Sequence, residues 1–152
     1  MQEDIYKFFR INDHLATSGQ PTPEQFVDIA MQHYQLIINL AEFDSTNAIY
    51  NEEVIVKSLY MEYVHIPVKW RSPKTEDYQK FVEVMEANKA KKTFVHCAAN
   101  KRVSVFVSLY RIQFLKESPD QVFADLHKIW QPDEIWQAFL DLQLISFSQI
   151  DE

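Results

Sequence analysis

Thr93-Phe94-Val95-His96-Cys97-Ala98-Ala99-Asn100-Lys101-Arg102-Val103-Ser104 is the stretch on which the fold turns. Its opening residues, Thr93 to Cys97, are β-branched, aromatic or apolar and predict a strand buried on both faces. From Val103 to Leu115 the chain is apolar nearly all round and predicts a buried helix. The polar turn between them therefore lies beyond the carboxyl end of a strand and at the amino end of a helix. In an α/β sheet ligands collect there, because the helix directs its free N–H groups at them. Cys97, followed by cationic Lys101 and Arg102, is a candidate nucleophile facing an anion site, since the thiolate is the reactive form of cysteine.

Outward from this stretch, strands and helices alternate. Gln35 to Leu40 is a short apolar run that suits a buried strand, and Met61 to Val68 alternates toward Val64, Ile66 and Val68 as a second. Thr22-Pro23-Glu24-Gln25 reads as a capping box with proline at the first helical position, which predicts a helix over 23–33. Further helices are expected at Ala48 to Ser58 and at Thr75 to Asn88, where Tyr78, Phe81, Val82 and Met85 share a face. Ser118-Pro119-Asp120-Gln121 reads as another capping box, opening a helix to about Trp130, and Pro132-Asp133-Glu134 opens a last one carrying Ile135, Trp136, Phe139 and Leu140. Ala41 to Thr46 and Trp70 to Lys74 read as loops. The fold class this implies is α/β, a mostly parallel central sheet flanked by helices, in one domain over 1–152.

Composition narrows the function. With 47% apolar and 14% aromatic residues the chain can fill a substantial core. Its apolar runs are far shorter than the roughly 20 residues that span a bilayer, so no membrane association is expected. The net charge of −7, without a clustered Lys/Arg stripe outside Lys89 to Arg102, argues against nucleic acid. The acidic Met1-Gln2-Glu3-Asp4 start lacks a secretory layout, and the lone Cys97 excludes an internal disulfide, so the cytosol is the expected location. His14, His33, His65 and His127 are dispersed and form no ligand spacing with Cys97, so neither metal nor other cofactor is expected. The one glycine, Gly19, is expected in a turn with positive φ, and other such turns must use Asn, Asp or strain.

The turn at Cys97 resembles the signature loop of protein tyrosine and dual-specificity phosphatases, His-Cys, five residues, Arg, Ser/Thr. The opening Leu15-Ala16-Thr17-Ser18-Gly19-Gln20-Pro21-Thr22, followed by Ile37-Ile38-Asn39-Leu40, is similar to a bacterial branch of phosphatase-like domains. The resemblance covers roughly residues 12 to 116 and implies the phosphatase fold. It also implies that Cys97 attacks phosphorus to form a phosphocysteine, and that the amides of Ala98, Ala99, Asn100, Lys101, Arg102 and Val103 hold the phosphoryl oxygens. By the same resemblance Ser104 assists departure of the thiolate, while His96, Gln20 and Trp70 support the pocket.

Two departures bear on catalysis. The residue six after the cysteine is Val103, and Arg102 stands one place earlier. One residue is about 100° of helix rotation, so either the loop is rearranged or the arginine clamp is lost. The segment His65-Ile66-Pro67-Val68-Lys69-Trp70, where the family carries its general acid, holds no carboxylate. Glu76 and Asp77 in the next turn are the candidate acids; Glu42 and Asp44, on the rim shared with Cys97, read first as solvated loop charges and only second as alternative acids. The leading expectation is a cysteine-dependent phosphatase acting on phosphotyrosine or a small phosphorylated metabolite. The alternative is a pseudophosphatase that binds a phosphorylated partner or oxyanion without chemistry, and a third option is a sulfur-carrying or redox-active thiol.

Overall fold

The computed structural model describes residues 4–151, with side chains as far as Ser146. Five strands form one sheet: β1 (Phe9–Asn12), β2 (Leu15–Ser18), β3 (Leu36–Asn39), β4 (Glu62–His65) and β5 (Thr93–His96). Their order is β1-β2-β5-β3-β4. β1 and β2 are antiparallel, and the remaining three pairings are parallel. The helices are α1 (Pro23–Met31), α2 (Glu52–Ser58), α3 (Thr75–Ala87), α4 (Lys101–Gln113), α5 (Pro119–Ile129) and α6 (Glu134–Asp151).

β5 lies in the middle of the sheet, between β2 and β3, so the residue that follows it emerges at the centre of the rim. Alternation along each central strand divides the core in two. Ile37 and Phe94 face Phe26, Ile29 and Val56 of α1 and α2. Ile38 and Val95 face Phe81, Phe106, Leu126 and Trp136 of α3 to α6. The sheet is therefore covered on both sides, the arrangement a parallel sheet requires.

The sequence reading holds for every helix and for three strands. The Thr22 capping box forms as read: Gln25 N donates to Thr22 Oγ1, and Thr22 N donates to Gln25 Oε1. Four details differ. The hairpin β1–β2 adds two strands, each only 4 residues long, too short to show periodicity. α2 starts at Glu52, because Ala48 N and Glu52 N bond to carbonyls only three residues back and make turns instead. At Ser118 the helix begins as expected, but the serine side chain makes no capping bond. Gly19 has no positive φ. A Cβ there would lie 2.6 Å from Tyr6 Cδ2 and 2.8 Å from the Ala98 carbonyl, so the site demands glycine for close approach rather than for a turn.

Candidate active site

Loop 97–100 leaves the end of β5 and enters α4. Asn100 takes the left-handed conformation at φ 62°, the role glycine would otherwise fill. Its amide nitrogen donates to Lys7 O at 2.9 Å and Thr17 Oγ1 at 3.1 Å, while its Oδ1 is buried without a partner. Gln20 N and Asn47 Nδ2 both donate to the Ala98 carbonyl, at 3.1 and 3.0 Å, turning that oxygen outward from the loop. Cys97 N donates to Ser18 O at 3.3 Å. Among the described residues no protein carbonyl accepts from the N–H groups of Ala98, Ala99, Lys101, Arg102 or Val103. These N–H groups lie where loop 97–100 enters α4, at the helix's positive end. Cys97 itself exposes no surface and packs against the core that includes Val95 and Val103, so the sulfur lies beneath the loop.

Arg102, in the first turn of α4, is 6% exposed. Its Nη1 donates to Val68 O at 2.9 Å and to Glu42 Oε1 at 3.4 Å. Glu42 Oε1 also accepts from Trp70 N at 2.8 Å. The shift of arginine by one position thus turns the guanidinium toward the loops that follow β3 and β4. Trp70 is packed between Trp130 and Trp136, with ring centroids 5.6 and 5.8 Å away. Its carbonyl accepts from Trp136 Nε1 at 2.8 Å, so both backbone groups of Trp70 are tied to other elements. Lys101 Nζ lies over Trp70 and Trp130, at 5.9 and 5.3 Å from the ring centres.

Beneath the loop, His96 Nδ1 lies 3.3 Å from Cys97 O, and His96 Nε2 lies 2.6 Å from Glu52 Oε2. Both ring nitrogens of His96 are thus within hydrogen-bond distance of an oxygen. Glu52 Oε1 accepts from Gln20 Nε2 at 2.7 Å. Burial pushes the Glu52 carboxyl up, but the His96 ring and hydrogen bonds from His96, Gln20 and Tyr63 outweigh it and hold the group below its ordinary value. Tyr63, half-buried beside that carboxylate, has its hydroxyl pushed up by partial burial and by Glu52, and it accepts from Asn39 Nδ2 at 3.0 Å. The fold thus brings Gln20, Glu52, Tyr63 and His96 together under Cys97.

Some expected residues stand elsewhere. The Ser104 hydroxyl donates to Lys101 O at 2.6 Å and accepts from Trp130 Nε1 at 2.8 Å, and it makes no bond to Cys97. Its local role is to tie α4 to the end of α5. Glu76 and Asp77 sit in the first turn of α3, and among the described residues neither carboxylate bonds to the loop or to Arg102. Thr75 beside them is turned to Gln143 of α6. Glu42 and Glu52 carry contacts that sequence reasoning did not assign, because their partners lie 60 and 44 residues away.

A mostly parallel sheet, a central His-Cys loop at the amino end of a buried helix and an arginine in the first turn define the protein tyrosine and dual-specificity phosphatase class, whose members are hydrolases. Residues 10–134 match the family described as DSP-PTPase phosphatase fused to NAD+ kinase, and the chain belongs to that family. A DUF442 protein of Shewanella putrefaciens CN-32, carrying a phosphatase assignment, superposes with a TM-score of 0.86 at 30% identity over 95% of each chain. PTPMT1, solved in complex with PI(5)P, has the same fold with a TM-score of 0.79 at 16% identity, covering 95% of this chain and 99% of its own. The beta-lactamase hydrolase-like protein of Xylella fastidiosa strain Temecula1 is 28% identical over 121 residues, which are 78% of this chain. The chain spans only 28% of that relative's length. Among the described residues no helix is long and apolar enough to cross a membrane.

Proposed function

We propose that the chain hydrolyses phosphomonoesters, phosphotyrosine or a small phosphorylated metabolite, through a phosphocysteine on Cys97. The observation that carries this reading is the set of amides of Ala98, Ala99, Lys101, Arg102 and Val103, which among the described residues have no protein carbonyl acceptor, at a helix amino end directly after a cysteine. A phosphoryl group has the charge and the oxygens to fill such a cradle. Among the described residues only Nη1 of Arg102 has protein acceptors, so Nε and Nη2 are the donors that would meet two oxygens of the guest. In the first step a P–S bond forms as the ester P–O bond breaks and the alcohol leaves. Water then attacks phosphorus, and inorganic phosphate departs from the thiolate. The His96–Glu52 pair fixes the backbone at Cys97 and adds no reacting atom.

Hydrolysis of 4-nitrophenyl phosphate by the wild-type chain and its loss in Cys97→Ser are the expected results. Equal rates in the two proteins would sink the cysteine mechanism. Orthovanadate at about 100 times its dissociation constant should stabilise the fold by about 2.7 kcal/mol. Stabilisation without turnover would instead identify an oxyanion-binding pseudophosphatase, and neither effect would remove the site altogether.

A further inference from the structure

The proton for the leaving alcohol has no source in the loop after β4. Ile66 to Lys74 contains no carboxylate, and Trp70 at its centre is fixed through both its N–H and its carbonyl. Glu76 and Asp77 hold no contact with the loop or Arg102. Glu42, from the loop after β3, is the one carboxylate among the described residues that meets Arg102. Its Oε1 is held by Trp70 N and Arg102 Nη1, while the side chain remains 33% exposed. It also lines a cavity of about 320 Å³ with Gln20, Asn39, Phe43, Tyr63 and His65, and Gln20 of that lining donates its backbone N–H to the Ala98 carbonyl of the Cys97 loop. Glu42 therefore touches the guanidinium that would bind the phosphoryl group on one side and, on the other, an aromatic-walled space able to take the leaving group.

We infer that Glu42 is the general acid of the reaction, supplied by the β3–α2 loop in place of the loop after β4. This rests on the phosphatase reading of Cys97. As the P–O bond breaks, the Glu42 carboxyl gives its proton to the departing oxygen and becomes a carboxylate. That carboxylate then takes a proton from the water attacking the phosphocysteine, so Glu42 is restored when phosphate leaves. The oxyanion reaching Arg102 displaces Glu42 from it; freed of the guanidinium, the carboxylate takes up a proton from solvent and stands as the carboxyl beside the ester oxygen. The charged or titratable groups around Glu42 are Arg102 from α4, Glu52 and Glu53 from α2, and His65 and Tyr63 from β4.

The test compares Glu42→Gln with wild type on 4-nitrophenyl phosphate, whose leaving group needs little protonation, and on phenyl phosphate, which needs it. Loss of an acid costs about 10²–10⁴-fold, so kcat on phenyl phosphate should fall by that much while kcat on the nitrophenyl ester falls far less. The alkaline limb of the kcat profile should disappear, and Glu42→Asp, which keeps the acid on a shorter arm, should restore part of both. A merely structural contact would lower both substrates alike and leave the pH limb in place. If wild type hydrolyses both esters and Glu42→Gln keeps full kcat on phenyl phosphate, or if Glu76→Gln or Asp77→Asn causes the selective loss instead, the assignment to Glu42 is wrong while the phosphatase reading stands. If wild type hydrolyses neither, both fall together.

Discussion

Gly19 is the single glycine of the chain, and its position is set by distance rather than by torsion. The added methyl of Gly19→Ala would sit 2.8 Å from the Ala98 carbonyl, which is itself held by Gln20 N and Asn47 Nδ2. Because that contact is backbone, relief requires moving the Cys97 loop. Overpacking of this kind costs about 1–3 kcal/mol, so Gly19→Ala should lower the urea midpoint and weaken vanadate binding in the same preparation. Unchanged stability together with unchanged vanadate affinity would show that β2 yields without disturbing the loop. The expectation that positive-φ turns away from Gly19 fall to Asn, Asp or strain is met at the loop by Asn100, since that preference is local. Sequence reasoning misjudged Gly19, because close approach to residue 98 is a tertiary matter.

At the level of elements, α2 contributes Glu52, a 4% exposed carboxylate facing the fully buried His96 of β5. The Glu52 carboxyl is depressed in the folded chain, so its contribution to stability is present above the unfolded value of about 4.3 and is lost as pH falls through the lower folded value. Urea unfolding as a function of pH should therefore show a loss of stability on the acid side that is smaller in Glu52→Gln. At neutral pH the same variant should be destabilised by about 3–5 kcal/mol, because it breaks the buried His96–Glu52 pair by removing its carboxylate. Equal acid sensitivity in both proteins would assign that loss to other carboxylates. Helix starts were legible here because capping residues and proline act within one turn, as at Thr22. The β1–β2 hairpin was not. All four residues of β2 are buried because β1 and β5 flank it, so Leu15-Ala16-Thr17-Ser18 shows no alternation. The links from Glu42 to Arg102 and from Glu52 to His96 were equally hidden, since no local spacing joins residues brought together by sheet order.

Over the whole molecule, the net charge of −7 surrounds a loop that presents backbone amides, Lys101 and Arg102. A dianionic guest thus meets long-range repulsion and short-range attraction. Salt screens the first more than the second, because separations beyond about 10 Å are largely screened at 0.1 M while partly buried contacts are not. The dissociation constant for phosphate, followed by thermal shift between 10 and 150 mM salt, is accordingly expected to stay level or fall. The steep weakening typical of a basic surface patch would contradict this balance. The fold class was readable at this scale from the alternation of buried strands and helices, whereas the direction of Arg102 depended on how the loops after β3 and β4 meet. Those loops carry one further implication. With the backbone of Trp70 anchored on both sides, the rim beside Arg102 is tied down at that residue before any guest arrives. On the phosphatase reading the esters accepted are then set by what fits the aperture, and the rate of each cycle should be insensitive to solvent viscosity.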